Sequence, residues 1–188
     1  MAHGYGAPLE RLHNVGPGEW LNIRGVGVGA ERSGHVTLLG RVAGAGIVSN
    51  SRPGPYRGPE FKTGGARFWR VTVDGIRIGH LSSGKLAKED LPPGMEVDVL
   101  LMSTAQMKPA DKVVERLIAA THPAFVVPIH NDVFFLDLEE DPRPAPGSDR
   151  FNEETFTRQV AEAWPAAHVL VVPPMKELVL NVKTGTVR

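Results

Sequence analysis

Ala124-Phe125-Val126-Val127-Pro128-Ile129-His130-Asn131-Asp132 is an apolar run that stops at a histidine and then turns polar. Such a run reads as a buried strand. Its end places the His130 imidazole at the rim of a sheet, where sites in layered α/β proteins usually sit. Two more histidines stand in comparable settings: His35 follows the β-like run Val26 to Ala30, and His80 ends Ile76-Arg77-Ile78-Gly79. Three histidines at strand ends point to a metal site. Each one alone also reads as a hydrogen-bonded structural histidine.

The pattern around these residues is alternately strand and helix. Trp20 to Val28 reads as two short strands around a turn at Arg24-Gly25. Phe68 to Gly79 reads as a hairpin, because Asp74-Gly75 between alternating apolar residues is a strong turn signal. Val97 to Met102 has the unbroken apolar character of a buried strand. Pro109 fits the first turn of a helix whose apolar face is Val113, Val114, Leu117 and Ile118. That helix stops near Thr121-His122-Pro123. Asn152 is placed to cap a second helix, with Glu153 and Glu154 favourable against its dipole. Phe156, Val160 and Trp164 form its stripe and Pro165 ends it. Val169 to Val172 and Leu178 to Val182 read as final strands. Strand-helix-strand therefore occurs twice in the second half, which predicts an α/β layered protein.

The chain has 188 residues, enough for one domain (1–188) with a core of its own. Lys+Arg and Asp+Glu both number 21, so net charge gives no case for nucleic acid or an anionic membrane as a partner. No apolar run approaches membrane-spanning length, and the first residues lack the features of a signal peptide. The expected location is the cytoplasm. There is no cysteine, so any zinc must be held by His and carboxylate. Gly and Pro concentrate in residues 1–18, 40–66 and 141–149. A long structureless connection is often a functional loop, so residues 40–66 are expected to form a loop beside a site or a partly disordered segment.

Taken in order, Asp74-Gly-Ile-Arg-Ile-Gly-His80-Leu-Ser-Ser83, Val97-Asp-Val-Leu-Leu, a helix, and Val126-Val-Pro-Ile-His130 resemble the C-terminal part of metallo-β-lactamase-fold hydrolases. The L-ascorbate-6-phosphate lactonase-like branch is the most similar. Arg57-Gly58 to Val71 and the closing Val171-Val-Pro-Pro-Met-Lys-Glu-Leu-Val-Leu fit the same pattern, so the resemblance spans roughly residues 15–182. It implies part of an αββα sandwich, namely the C-terminal sheet with flanking helices. It also implies two metal ions, usually zinc, at the sandwich edge, and hydrolysis of a lactone, ester or phosphoester. His35 stands where one metal's later histidine is expected, and His130 matches the last histidine of the other. Ser83 takes the place of the bridging Asp of the family's "HLGD" stretch. His80, Ser83 and Asp132 are the candidate site neighbours, with Asp132 placed either to orient His130 or to make a turn.

The chain departs from the family pattern upstream. Its seven histidines are 3, 13, 35, 80, 122, 130 and 168, and no two are separated by one residue, so the H-x-H-x-D-H motif is absent. A catalytic zinc needs about three protein ligands, and the resemblance supplies one ligand to each metal. The expectation is a hydrolase-like protein, inactive as this chain alone and N-terminally incomplete. A small-molecule substrate is expected if it is active. The alternative is a non-catalytic interaction module or subunit that pairs with a missing N-terminal half or with a second copy. His122 before Pro123 suits a helix C-terminus, and His3, His13 and His168 receive no role. Gly25-Val-Gly-Val-Gly29 is followed by no helix pattern, so a dinucleotide loop fails on context; the glycines are expected to permit a bent strand. Ser82 and Ser83 lack a nucleophile-elbow setting.

Overall fold

Two left-handed dipeptides organise the first four strands. Arg24 and Gly25 have φ of 52° and 87°, and Asp74 and Gly75 have φ of 50° and 76°. Two successive positive φ values make the turn whose twist matches a tight hairpin. Arg24-Gly25 joins β1 (Glu19–Ile23) to β2 (Val26–Arg32), and Asp74-Gly75 joins β3 (Arg67–Val73) to β4 (Ile76–Leu81). Both turns stand where the sequence places them. The computed structural model describes residues 8–35, 46, 65–82, 85–86, 91–92, 94–104, 111–130, 152–173 and 176–188. The expected loop at 141–149, and 40–66 apart from Gly46, Gly65 and Ala66, lie outside the described residues.

The second half alternates as expected: β5 (Val99–Ser103), α1 (Val113–Thr121), β6 (Phe125–Ile129), α2 (Glu153–Ala163) and β7 (His168–Val169), then a hairpin of β8 (Leu180–Asn181) and β9 (Thr186–Val187). Strands β1 to β7 form one seven-stranded sheet in sequence order. The pairs β1–β2, β2–β3 and β3–β4 are antiparallel. The pairs β4–β5, β5–β6 and β6–β7 are parallel. The architecture is α/β layered, a mixed sheet with two helices. Among the described residues no helix is long and apolar enough to cross a membrane.

Several boundaries differ from the sequence expectation, each for a local reason. α1 starts at Val113 with Lys112 as its N-cap, at φ 45° and with no side-chain cap, and Pro109, expected in its first turn, lies outside the described residues. β5 starts at Val99 rather than Val97. The Val97 N–H instead donates to the Thr121 carbonyl (2.9 Å), and the Asp98 N–H to the Arg77 carbonyl (2.8 Å). β7 has two residues and starts at His168, and β8 likewise has two. The partner of β8, at Thr186–Val187, carries no alternation long enough to announce it. Asn152 caps α2 as expected, its side chain accepting from the Thr155 N–H at 2.7 Å.

Both helices pack on the same face of the sheet. Val113, Val114, Leu117 and Ile118 of α1 and Phe156 and Val160 of α2 meet Phe68, Leu81, Leu100, Met102 and Val126. Truncating a buried member such as Leu117 to alanine costs about 2–5 kcal/mol. On the opposite face Val99, Phe125 and Val127 are buried with Leu170, Val172, Leu180 and Val182 of the C-terminal segment. Strands apolar on both faces need cover on both. Helices supply it on one side, and the C-terminal hairpin supplies it over β5 and β6 on the other.

Candidate functional site

Strands β2, β4, β5 and β6 all run the same way, because β2 and β4 are each antiparallel to β3 and the later pairs are parallel. Their C-terminal ends therefore share one edge of the sheet. That edge carries His35 after β2, Ser82 after β4, Ser103 and Thr104 at the end of β5, and His130 after β6. Ligands of open α/β sheets bind at such an edge.

The exit of β2 is stitched to the segment beyond β4. The Ser33 N–H donates to the Ala66 carbonyl (3.2 Å), and the Gly34 N–H to the Lys85 carbonyl (3.1 Å). The Ser33 hydroxyl also donates to the Lys85 carbonyl, at 2.8 Å. Gly34 has no room for a side chain here, since a Cβ would meet the Leu86 carbonyl. This holds Gly34 beside residues 85–86, with the half-buried His35 next in the chain.

At the other exit, the Thr104 N–H donates to the Ile129 carbonyl (3.0 Å). Ser103 is fully buried, and its Oγ lies 3.5 Å from His130 Nδ1. His130 is exposed, with φ of 58°. Among the described non-glycine residues with positive φ, Arg24 and Asp74 sit in hairpin turns and Lys112 and His122 at the ends of α1; His130 alone has neither excuse. The left-handed residue breaks the strand's alternation, and the imidazole then lies against Ser103.

His80 is within β4 rather than at its end; Leu81 is the last residue. Its register neighbours are Trp69 and Leu101, on the face away from the helices. Half-burial disfavours the charged imidazole and lowers its pKa below the usual histidine value. Ser83 and Asp132 lie outside the described residues. His122 is the C-cap of α1, with its N–H donating to the Ile118 carbonyl and its ring 4.4 Å from that of Trp164. The glycines of β2 have a different use from a bend. A Cβ at Gly27 or Gly29 would fall inside the indole of Trp20, which lies flat on the bare strand.

One edge thus carries both expected ligands, His35 and His130. Strands β2 and β6 are four steps apart in the sheet, a separation of about 19 Å at ~4.8 Å per step. Among the described residues no group of three or more His, Asp or Glu could hold a metal ion. These residues do not by themselves fit a zinc ion. Sequence reasoning missed Ser103, because a serine ending an apolar run carries no signal until β5 and β6 are paired in register.

No family model and no curated protein matches the sequence. Among solved structures, the chain is similar to the metallo-β-lactamase-fold protein YhfI from Bacillus subtilis, at 8% identity and a TM-score of 0.48, over 85% of this chain and 52% of that one. It is also similar to a putative Zn-dependent hydrolase of the metallo-β-lactamase superfamily from Thermotoga maritima, at 16% identity and a TM-score of 0.37, over 67% of this chain and 51% of that one. The chain spans about half the length of each of these two structures.

Proposed function

We propose that the chain is of metallo-β-lactamase-fold, hydrolase type, with its reaction edge at the aligned exits of β2, β4, β5 and β6. The substrate class is a small molecule bearing a lactone, ester or phosphoester. The observation that supports this reading is placement: His35, Ser103 and His130, on three separate strand exits, lie along one edge. Ser103 Oγ lies 3.5 Å from Nδ1 of His130, which joins the exits of β5 and β6 at this edge. No step through zinc is assigned, since the described residues do not complete a ligand set. On that ground the isolated chain is expected to hold zinc substoichiometrically and to turn over no substrate.

A second reading is favoured by the same ligand count: a non-catalytic module that acts by pairing with another polypeptide. Elemental analysis after dialysis, with hydrolysis assays on lactones and phosphodiesters, separates the two. Hydrolysis that appears when a second polypeptide is bound, and is lost in His130→Ala, supports the hydrolase type. Binding with no turnover under any metal loading supports the module. Stoichiometric, tightly held zinc with turnover by the chain alone would overturn the expectation of inactivity.

A further inference from the structure

The face of the sheet away from the helices changes character along its strands over β2 to β4. Register places Val26, Val73 and Ile76 in one cross-strand row, and Val28, Val71 and Ile78 in the next. The following row is Ala30, Trp69 and His80, and the last is Arg32 opposite Arg67. The valines and isoleucines are half-buried, and none of them joins either core cluster. So the face runs from aliphatic, through an aromatic ring, to two guanidinium groups.

The arginine pair is the anomaly. Like charges directly opposite on adjacent strands are destabilising. Among the described residues no carboxylate pairs with Arg32 or Arg67: Glu31 is held on the other face by Arg70 at 3.1 Å. Glu19, on the same face, is turned to the Gly16 N–H at 2.6 Å. Arg67 donates from one nitrogen to the Ala66 carbonyl at 3.0 Å, which leaves further donors on its fork. Register sets Arg32 and Arg67 opposite each other on this face, without a carboxylate partner among the described residues, and guanidinium groups are the side chains that recognise a carboxylate or phosphate.

We propose that this face binds a single-tailed amphipathic anion, a long-chain carboxylate or phosphate monoester. Its head group sits on Arg32 and Arg67, and its tail runs across Trp69 onto the Val28-Val71-Ile78 and Val26-Val73-Ile76 rows. From Arg32 to Val26 the strand spans about 20 Å at ~3.4 Å per residue, the reach of an extended alkyl tail. A second copy of the chain is a poorer occupant. The aliphatic rows cover on the order of 200 Å² of sheet at strand spacing, against roughly 800 Å² per partner in a stable interface. Pairing the face with itself about an axis along the strands would also set arginine against arginine.

Dodecanoate, below its aggregation concentration, is the probe, read by tryptophan fluorescence and calorimetry on the full chain. Saturable one-to-one binding is expected, with dodecanol binding at least tenfold more weakly. Arg32→Gln and Arg67→Gln should each weaken dodecanoate on the order of tenfold. Arg32→Lys, which keeps the charge but loses the fork, should fall between. Val71→Thr, isosteric but polar, should weaken the tail without changing preference for the head. Circular dichroism verifies that each variant is folded. Equal affinity for dodecanol, indifference to both glutamine variants, binding to anionic vesicles but not to monomeric dodecanoate, or a dimer in light scattering that dodecanoate leaves intact would each overturn the proposal.

Discussion

The indole of Trp20 lies flat against Gly29, its register partner across β1 and β2, and extends over Gly27 on the same face. The Arg70 guanidinium stands over that ring, 5.4 Å from its centroid, and reaches Glu31 at 3.1 Å. The helices pack over the other end of this face, so tryptophan, arginine and glutamate serve as its cover here.

Gly29→Ala should therefore destabilise the chain by about 1–3 kcal/mol, the usual cost of forcing a methyl into an occupied space. The indole must lift, so tryptophan emission should shift to the red in the folded state. Chemical denaturation followed by fluorescence measures both. An alanine variant with unchanged midpoint and emission would mean that Trp20 does not rest on Gly29.

At the N-terminal ends of β4 and β5, in the middle of the sheet, Asp98 clamps Arg77. The carboxylate accepts from the Arg77 backbone N–H at 2.7 Å and from the guanidinium at 2.8 Å. The Arg77 hydrogen bond holds the Asp98 pKa below the usual carboxylate value. A carboxyl group depressed in the folded state stabilises fully above its unfolded pKa of about 4, and that stabilisation fades as pH falls through the folded value. Asp98→Ala should cost about 1–2 kcal/mol at neutral pH, given a half-exposed arginine partner. The gap between wild type and variant should close below pH ~4, as equilibrium denaturation across pH will show.

The hairpins and the second-half alternation were legible because their signals are local: Asp74-Gly75 requires a left-handed pair, and Asn152 caps from its own helix. The site was legible only in part. His35 and His130 could be placed at strand ends from hydrophobic runs. Which ends share an edge depends on the parallel pairing of β4, β5 and β6, and pairing partners are not encoded in any one segment. The Ser103–His130 contact and the Arg32–Arg67 opposition both exist only through register. The room that Gly27 and Gly29 leave for an indole was hidden for the same reason, since the ring that needs them bare belongs to β1.

His80 should make stability depend on pH near neutrality. Burial lowers its pKa below the unfolded value of 6.5, so the unfolded chain binds the proton more readily. Stability contributed by this group is complete above the unfolded pKa and is lost as pH falls through the folded one. Denaturation midpoints of wild type and His80→Gln should therefore diverge in slope as pH drops below about 6.5, with the variant the flatter of the two. Parallel profiles would show that His80 is as solvated folded as unfolded.

His130 carries backbone strain that glycine would relieve. A side chain in the left-handed region costs about 1–2 kcal/mol, and His130 has φ of 58° at an exposed strand exit. His130→Ala and His130→Gly both remove the imidazole and its contact with Ser103. They differ only in whether a Cβ must occupy that conformation. His130→Gly should be the more stable of the two by about 1 kcal/mol, after allowing for the greater freedom of glycine in the unfolded chain. If denaturation gives alanine as the more stable variant, the left-handed geometry at position 130 is wrong, and the placement of its imidazole against Ser103 falls with it.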